Sequence, residues 1–256
     1  MAWSKPTLIF VHGAWHRPEY FTKTITALEQ EGYHCIAPQL QMCGTPEPVS
    51  SLASTISQVQ DIIVAEITNG NDVVMVNHSF GGIVGCSAVK GFTAKDSSKL
   101  GTAKGKVVGI IELCAFMVPS NTDLNELVAS GPGGFRVHVS SDGWVIVDDD
   151  TIEVFYNDLP AEKAQHWQSR LVNQSAATFS DRDSIYAGWA DVPVWYLHCT
   201  EDKAMNLLEQ EAMVAGAKQA GASVTTKTLQ HAGHSPFLSR VDETVEFIRE
   251  ACQNFA

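Results

Sequence analysis

Three polar residues of the sequence, Ser79, Asp202 and His234, each fall just after a predicted strand. A serine hydroxyl becomes a nucleophile when a base removes its proton, and a histidine oriented by a carboxylate is such a base. The carboxyl ends of parallel strands meet at one edge of a sheet, so we expect these three side chains to lie together. The sequence therefore predicts nucleophilic catalysis by a Ser-His-Asp triad.

Residues 72–82 have the pattern of a strand that turns sharply through a serine into a helix. Such a turn lifts the Ser79 hydroxyl out of the sheet, and the two glycines after it let the helix pass close to the strand. Glycine is usual two residues before the serine, but this chain has Asn77 there. We expect the Asn77 amide to be hydrogen-bonded to a neighbouring loop, for example that of Asp202 or His234, and to serve structure rather than chemistry.

Each member of the predicted triad has a rival nearby. His231 lies three residues before His234, but Gly233 places His234 in a loop that leads into a helix. Glu201 is the neighbour of Asp202, and Asp123 follows the preceding predicted strand. We favour His234 and Asp202, and the alternative acids stay open at this point.

The first predicted strand ends at a second group of residues with a chemical use. The turn at Gly13 and Ala14 can aim the backbone N–H of Ala14 at a developing oxyanion, together with the N–H of Phe80. His12 and His78 flank this turn and the serine, and both are expected to orient or pack the site. The sequence thus predicts an oxyanion hole beside the triad.

Composition limits the classes of function that fit the chain. Its 256 residues carry a formal net charge of −12, which argues against binding nucleic acid or an anionic membrane. No apolar run approaches the length of a transmembrane helix, and the start of the chain lacks the features of a signal peptide. The six scattered cysteines are expected to be reduced thiols, so we predict a cytoplasmic protein.

About six predicted strands alternate with helices, which indicates an α/β fold with a mostly parallel sheet flanked by helices. Residues 119–190 break this rhythm, with a hairpin over Val137–Val147 and a helix that Pro160 opens after a cap at Asp158. The expected organisation is a core domain of residues 1–118 and 191–256 with an inserted lid of residues 119–190. The other predicted helices span residues 18–30, 51–68, 207–220 and 236–252.

Five stretches of the chain match a known family: Phe10–His16, Asn77–Gly82, Ala115–Pro119, Cys199–Lys203 and Ala232–His234. With these motifs, the chain resembles the α/β-hydrolase superfamily along nearly its whole length. Within it, the chain is similar to the group of plant methylesterases and hydroxynitrile lyases. The segments Phe155–Asp158 and Gln165–Trp167 resemble uncharacterised microbial members instead. The resemblance places Asp202 on the catalytic acid of that group and His234 on its catalytic histidine.

The resemblance implies a carboxylic ester or lactone hydrolase that acts through an acyl-enzyme on a small, largely apolar molecule, without a metal or organic cofactor. Its partners would be the substrate and, as an open alternative, a second copy of the chain in a homodimer. A lyase or retro-Claisen enzyme that cleaves C–C bonds is the alternative, and a non-catalytic binder is the third class. Hydroxynitrile lyases of this group carry Thr at the position of Gly13 and Lys at that of Ser235, so we expect no such lyase activity. Predicted substrate-contacting residues are Gly13, Trp15, His78, Phe116, Met117, Phe155, Tyr156 and Trp167.

Overall fold

The computed structural model describes residues 5–125 and 135–255. Its strands are β1 Thr7–Val11, β2 His34–Ile36, β3 Val73–His78, β4 Val107–Leu113, β5 Val137–Val139, β6 Trp144–Val147, β7 Gln174–Ser175, β8 Val194–Cys199 and β9 Val224–Leu229. Its α-helices are α1 Thr22–Gln30, α2 Ala53–Thr68, α3 Gly81–Ala88, α4 Thr151–Tyr156, α5 Ala161–Gln168, α6 Ala177–Ser180, α7 Leu207–Gln219, α8 Pro236–Ser239 and α9 Val241–Asn254.

Six strands form one parallel sheet in the order β2-β1-β3-β4-β8-β9. Helix α1 packs on α9, and α2 packs on α3, so helices flank the sheet. The predicted α/β class with about six mostly parallel strands is confirmed. Since β1, β3, β4, β8 and β9 run in one direction, the loops that follow them meet at a single edge.

Burial explains why these strands occupy their places. Every residue of β1 and β3 is buried, as expected for the middle of a sheet that is covered on both faces. Strand β9 lies at the edge, and its four central residues are exposed. The strand that leads to the serine is therefore held by neighbours on both sides, β1 and β4.

The chain between β4 and β8 forms a second, antiparallel sheet in the order β5-β6-β7. The predicted hairpin corresponds to β5 and β6. A bridge from Cys43 to Gln174 and a bond from the Ser175 N–H to the Met42 carbonyl, 2.9 Å, join this sheet to the loop after β2. The division into a core and a lid of residues 119–190 stays a prediction.

Two predicted helices differ from the observed ones. Residues 18–30 begin as a 3-10 turn over Pro18–Phe21 before α1 starts at Thr22. The last helix is divided into α8 and α9, because the backbone of Arg240 departs from the helical conformation at φ −129° and ψ 54°. Arg240 instead donates from Nη2 to the carbonyl of His231, 2.9 Å away.

The predicted helix cap at Asp158 is wrong. Helix α5 starts after Pro160, which makes no side-chain cap, and Asp158 lies in the turn before it. Its carboxylate accepts the N–H of Gly233 instead, at 2.7 Å. The Asp158 carboxylate thus makes a tertiary hydrogen bond in place of the helix cap that the local sequence predicts.

Within residues 5–125 and 135–255, no helix is both long enough and apolar enough to cross a bilayer. All six cysteines of the chain are free thiols, and five of them are buried.

Candidate active site

Ser79 lies in the strained turn between β3 and α3. Its φ is 53°, a left-handed backbone conformation that residues other than glycine rarely adopt. Ser79 is also partly exposed. A side chain at Gly81 would approach the Val11 carbonyl to 2.2 Å, and one at Gly82 would approach the Phe116 carbonyl to 2.4 Å. The two glycines therefore let α3 begin directly against the ends of β1 and β4, with its N-terminus beside Ser79.

His234 and Asp202 form a buried pair at the same edge. The Nδ1–H of His234 donates to Asp202 Oδ2 at 2.8 Å, and both side chains are almost wholly shielded. The Nε2 atom is also buried and hydrogen-bonds to none of the residues described. Because Nδ1 holds the proton, Nε2 carries a free lone pair, the form that a general base needs.

The orientation of Asp202 is set by four donors. Its Oδ1 accepts the N–H groups of Ala204 and Met205, each at 2.8 Å, and its Oδ2 accepts Gln210 Nε2 at 3.3 Å beside His234. Gln210 on α7 also bonds both the N–H and the carbonyl of Cys199, so it ties the acid loop to β8. The sequence does not predict Gln210 as a site residue, and its one signal is a polar residue on the inner face of a helix.

The rival residues have other partners. His231 is largely exposed, and its Nδ1 lies 2.8 Å from Glu201 Oε1, a pair on the surface. Asp123 accepts the N–H of Asn125 at 3.0 Å in its own loop. Of the two histidines and three carboxylates considered, the structure brings His234 and Asp202 together in the buried site.

His12 braces the turn after β1. The N–H of Leu40 donates to His12 Nε2 at 3.1 Å, so its Nδ1 carries the proton and donates to the Gly13 carbonyl at 2.9 Å. Burial lowers the pKa of His12 to about 4, which keeps the ring neutral. Since a trans peptide points its N–H opposite to its carbonyl, this bond turns the Ala14 N–H away from His12. A side chain at Gly13 would come within 2.8 Å of Ser79 Cβ, so this turn lies against the serine.

Two more buried histidines link the turn to its surroundings. His16 donates from Nδ1 to the Ala14 carbonyl at 2.7 Å and accepts the Tyr156 hydroxyl on Nε2 at 3.1 Å. His78 donates from Nε2 to the carbonyl of His234 at 2.9 Å. Burial lowers the pKa of His16 to about 3 and that of His78 well below its usual range. His78, the chain neighbour of Ser79, thus fastens the histidine loop beside the serine.

Aromatic rings cover the site on the side of the predicted lid. The Phe155 ring centre lies 5.8 Å from that of His234 and 5.8 Å from that of Trp15. Other ring contacts extend this wall, and its further members are Phe80, Phe135 and Phe179. The sequence predicts Trp15 and Phe155 as substrate-contacting residues but does not indicate Phe135 and Phe179 as members of this wall.

The other predicted substrate-contacting residues lie in different places. Trp167 packs on Tyr20 at 4.6 Å between ring centres, and its carbonyl accepts the Tyr20 hydroxyl. Met117 is buried in the loop after β4, and the half-buried Phe116 donates its N–H to the Ser79 carbonyl at 3.0 Å. That these residues contact a substrate stays a prediction.

The turn after α4 holds the loops of Asp202 and His234 at once. Asp158 Oδ2 accepts the N–H of Gly233, and Asn157 Nδ2 donates to the Glu201 carbonyl at 2.9 Å. A side chain at Gly233 would approach Asn157 Oδ1 to 2.5 Å, so glycine is needed there. We call residues 157 and 158 the clasp. It connects the predicted lid to the loops of Asp202 and His234.

The partner of Asn77 differs from the expected one. Its Nδ2 donates to Glu112 Oε1 at 3.1 Å on the neighbouring strand β4, and not to the loop of Asp202 or His234. Cys86 on α3 donates its thiol to the same oxygen at 3.1 Å. Burial raises the pKa of Glu112 to about 8. The expectation of a hydrogen-bonded amide was right, but its assignment to a loop was wrong.

One group of side chains has the composition of a metal site. Ligand atoms of His78, Cys114 and His234 lie within 4.8 Å of one another. One ring nitrogen of each histidine already donates a hydrogen bond, to the His234 carbonyl and to Asp202, and the Cys114 thiol donates to the His234 carbonyl at 3.3 Å. These three side chains therefore form part of the hydrogen-bonded support of the histidine loop.

A parallel sheet that carries a serine on a strained strand-to-helix turn, with a buried histidine–carboxylate pair at the same edge, defines the architecture of an α/β hydrolase. The chain matches the model of the alpha/beta hydrolase family over residues 8–247, and it belongs to that family. It is therefore an enzyme of the hydrolase type.

Individual relatives support this assignment. The chain is 30% identical to "Alpha/beta hydrolase nvfD" of Aspergillus novofumigatus over 249 residues, which is 96% of each chain. A methylesterase protein, MES16 from Arabidopsis, has a similar structure with a TM-score of 0.75 and 18% identity, over 97% of this chain and 99% of its own. A pyrethroid hydrolase from Sphingobium faniae JZ-2 has a TM-score of 0.76 and 21% identity, over 98% of both chains. The predicted resemblance to plant methylesterases is confirmed at the level of the fold.

Proposed function

We propose that this hydrolase cleaves a carboxylic ester or lactone of a small, largely apolar molecule through Ser79, His234 and Asp202. The observation that carries the proposal is the buried His234–Asp202 bond of 2.8 Å, which leaves Nε2 unpartnered at the edge where Ser79 lies. The aromatic wall beside His234 supports an apolar substrate, since it offers few polar groups.

In the proposed reaction, His234 Nε2 takes the proton of the Ser79 hydroxyl as its oxygen attacks the carbonyl carbon. The N–H groups of Ala14 and Phe80 stabilise the oxyanion. Such donors typically lower the activation barrier by several kcal/mol. The imidazolium then protonates the leaving alkoxide, and Asp202 stabilises that cation. Water, deprotonated by His234, attacks the acyl-enzyme and releases the acid and Ser79.

Labelling with a fluorophosphonate tests the nucleophile. The intact mass should rise by one adduct in the native protein and in the control Ser98→Ala, whose serine is exposed and remote in sequence. It should not rise in Ser79→Ala. A native protein that resists the reagent at neutral pH would contradict a serine hydrolase.

A substrate panel tests the bond that is cleaved. Small aryl and alkyl esters, lactones and β-diketones would be compared by kcat/KM, each with Ser79→Ala as the blank. We expect turnover of esters or lactones and none of β-diketones. Turnover confined to β-diketones would favour the C–C bond cleavage that the same scaffold could support.

A further inference from the structure

The pair of Asn77 and Glu112 lies directly beneath the Ser79 turn and has no part in the proposed reaction. The two residues face each other across β3 and β4 as register partners, and both are wholly buried. Asn77 is two residues before Ser79, and Glu112 is two residues before Cys114, which directly follows β4 in a left-handed conformation at φ 37°. A change at Asn77 is thus two residues along the chain from Ser79, and a change at Glu112 acts on Ser79 through Asn77.

Donors and acceptors do not balance in this pair as long as Glu112 is ionised. Glu112 Oε1 accepts from Asn77 and Cys86, but Glu112 Oε2 and Asn77 Oδ1 are buried and have no partner among the described residues. Both orphan atoms are acceptors, and a buried acceptor without a donor costs about 1–3 kcal/mol. One proton on Oε2 removes the imbalance, because a carboxylic acid donates from one oxygen and accepts on the other.

The surroundings also favour the neutral acid. No described cation pairs with Glu112, and the titratable groups that face it are uncharged: the Cys86 thiol on α3 and the Tyr196 phenol on β8, which is its register partner. Strand β3 offers only the Asn77 amide. Burial accordingly raises the pKa of Glu112 to about 8, while its bonds with Asn77 and Cys86 act in the opposite direction.

The helix after the serine is shaped around this pair. A side chain at Gly85 on α3 would come within 2.0 Å of Asn77 Oδ1, so the amide fills the space that glycine leaves. The position at which α3 crosses β3 therefore depends on the place of the Asn77 side chain. Because α3 starts at the Ser79 turn, the pair can set the position of the nucleophile.

We propose that Glu112 is a neutral carboxylic acid that donates to Asn77 Oδ1 and, through this acid–amide pair, positions the Ser79 turn. Glu112 is a positioning residue and touches no substrate. Ionisation of Glu112 breaks the donated bond and places a charge beneath α3, so acylation of Ser79 slows as pH rises. This inference rests on the proposed serine hydrolase function and assigns Asn77 a role beyond the structural one expected from the sequence.

The decisive variant is Glu112→Gln, since glutamine has the shape, the donor and the acceptor of the neutral acid but cannot ionise. The rate at which a fluorophosphonate phosphonylates Ser79, with loss of fluoride, would be followed from pH 6 to pH 10 as the measure of Ser79 reactivity. In the native protein we expect a fall with a midpoint near 8, the pKa of Glu112. In Glu112→Gln the rate at pH 7 should stay within about threefold and the alkaline fall should vanish, while Glu112→Ala should lose at least tenfold at every pH.

Glu66→Gln is the matched control. Glu66 is another buried carboxylate, on α2, bonded to Thr7 and Asn71 at the amino ends of β1 and β3, the edge of the sheet opposite to the serine, and its variant should keep the native pH profile. A flat native profile from pH 7 to pH 10, or an unchanged midpoint in Glu112→Gln, would overturn the proposal. So would a loss at pH 7 in Glu112→Gln as large as that in Glu112→Ala.

An infrared measurement separates this inference from the proposed function. A protonated carboxylic acid has a carbonyl stretch that a carboxylate lacks, and we expect this band at pH 7 in the native protein and in Ser79→Ala, but not in Glu112→Gln. Its absence at pH 7 would refute the neutral acid even if Ser79 is labelled. If Ser79 is not labelled but the band is present, the proposed function fails while the acid–amide pair stands.

Discussion

At the scale of single residues, the site depends on proton positions that hydrogen bonds fix. Nδ1 of His234 donates to Asp202, Nδ1 of His12 donates to Gly13, and Nδ1 of His16 donates to Ala14. In His12 and His16 the second nitrogen accepts a bond, from the Leu40 N–H and from the Tyr156 hydroxyl. The second nitrogen of His234 is free, as is Nδ1 of the bracing His78. Among these four buried histidines, His234 is the one that bonds a carboxylate, that of Asp202, and this pairing favours it as the proposed general base.

The predicted triad gives the first test at this scale. Ser79→Ala, His234→Ala and Asp202→Asn should each lower kcat by a factor of at least about a thousand, and double variants should lose little more because the three act as one unit. Steady-state kinetics on the preferred ester would measure this. Glu201→Gln and Asp123→Asn serve as controls with near-native turnover. Loss of turnover in Asp123→Asn with retention in Asp202→Asn would move the acid to Asp123.

A second prediction concerns cyanohydrins. We expect no release of cyanide from mandelonitrile above the uncatalysed rate, because Gly13 and Ser235 stand where the resembling lyases carry Thr and Lys. The structure adds that any side chain at Gly13 would crowd Ser79 Cβ at 2.8 Å. Cyanide release that disappears in Ser79→Ala would show this expectation to be wrong.

At the scale of elements, the sequence predicts the strands of the main sheet well, because buried parallel strands are short apolar runs. It predicts the strand-end residues for the same reason. Two-residue β7 and six-residue α4 carry no periodic pattern long enough to recognise, and both were missed. Glu112 did leave a signal, a carboxylate inside the apolar run of β4, but its partner Asn77 depends on sheet register, which the sequence alone does not give.

The clasp provides the prediction at this scale. Asp158→Ala removes a charge-assisted bond to Gly233, typically worth about 1.5–3 kcal/mol, so the His234 loop should lose its fixed position. We expect kcat to fall by about tenfold, with a smaller change in KM. Asp150→Ala is the control: Asp150 caps α4 through the Ile152 N–H, and its loss should lower stability and leave kcat within about twofold. Equal kcat values in the two variants would mean that the clasp does not position the histidine.

At the scale of the whole molecule, the buried histidines set the response to acid. Burial lowers the pKa of His12 to about 4 and that of His16 to about 3, whereas the unfolded chain takes up these protons near 6.5. The unfolded state therefore binds more protons between these values. The contribution of these rings to stability is complete above pH 6.5 and is lost as pH falls toward 4. Glu112 acts in the opposite sense, since its raised pKa favours the folded state at low pH, but it is a single group.

We expect the melting temperature to fall steadily from pH 6.5 to pH 4.5, before most carboxylates are protonated. Calorimetry across this range would measure the melting temperature. The free energy of unfolding should fall by up to about 1.4 kcal/mol per pH unit for each buried ring. His166→Asn, which changes a ring on the exposed face of α5, should keep the slope. A melting temperature that stays constant down to pH 4.5 would show that the buried rings accept protons without cost.

The bonds between the predicted lid and the loops of the candidate site have a consequence for how such enzymes diversify. The indole N–H of Trp15 donates to the Val145 carbonyl at 2.8 Å, and the Trp15 carbonyl accepts the Val172 N–H at 2.9 Å, while the clasp holds Gly233. A foreign segment spliced between β4 and β8 would bring its own substrate preference but would lack these partners. Chimaeras that exchange this segment alone should therefore bind new esters and turn them over poorly. If the residues at positions 15 and 233 are exchanged together with the segment, each loop keeps the partner with which it evolved.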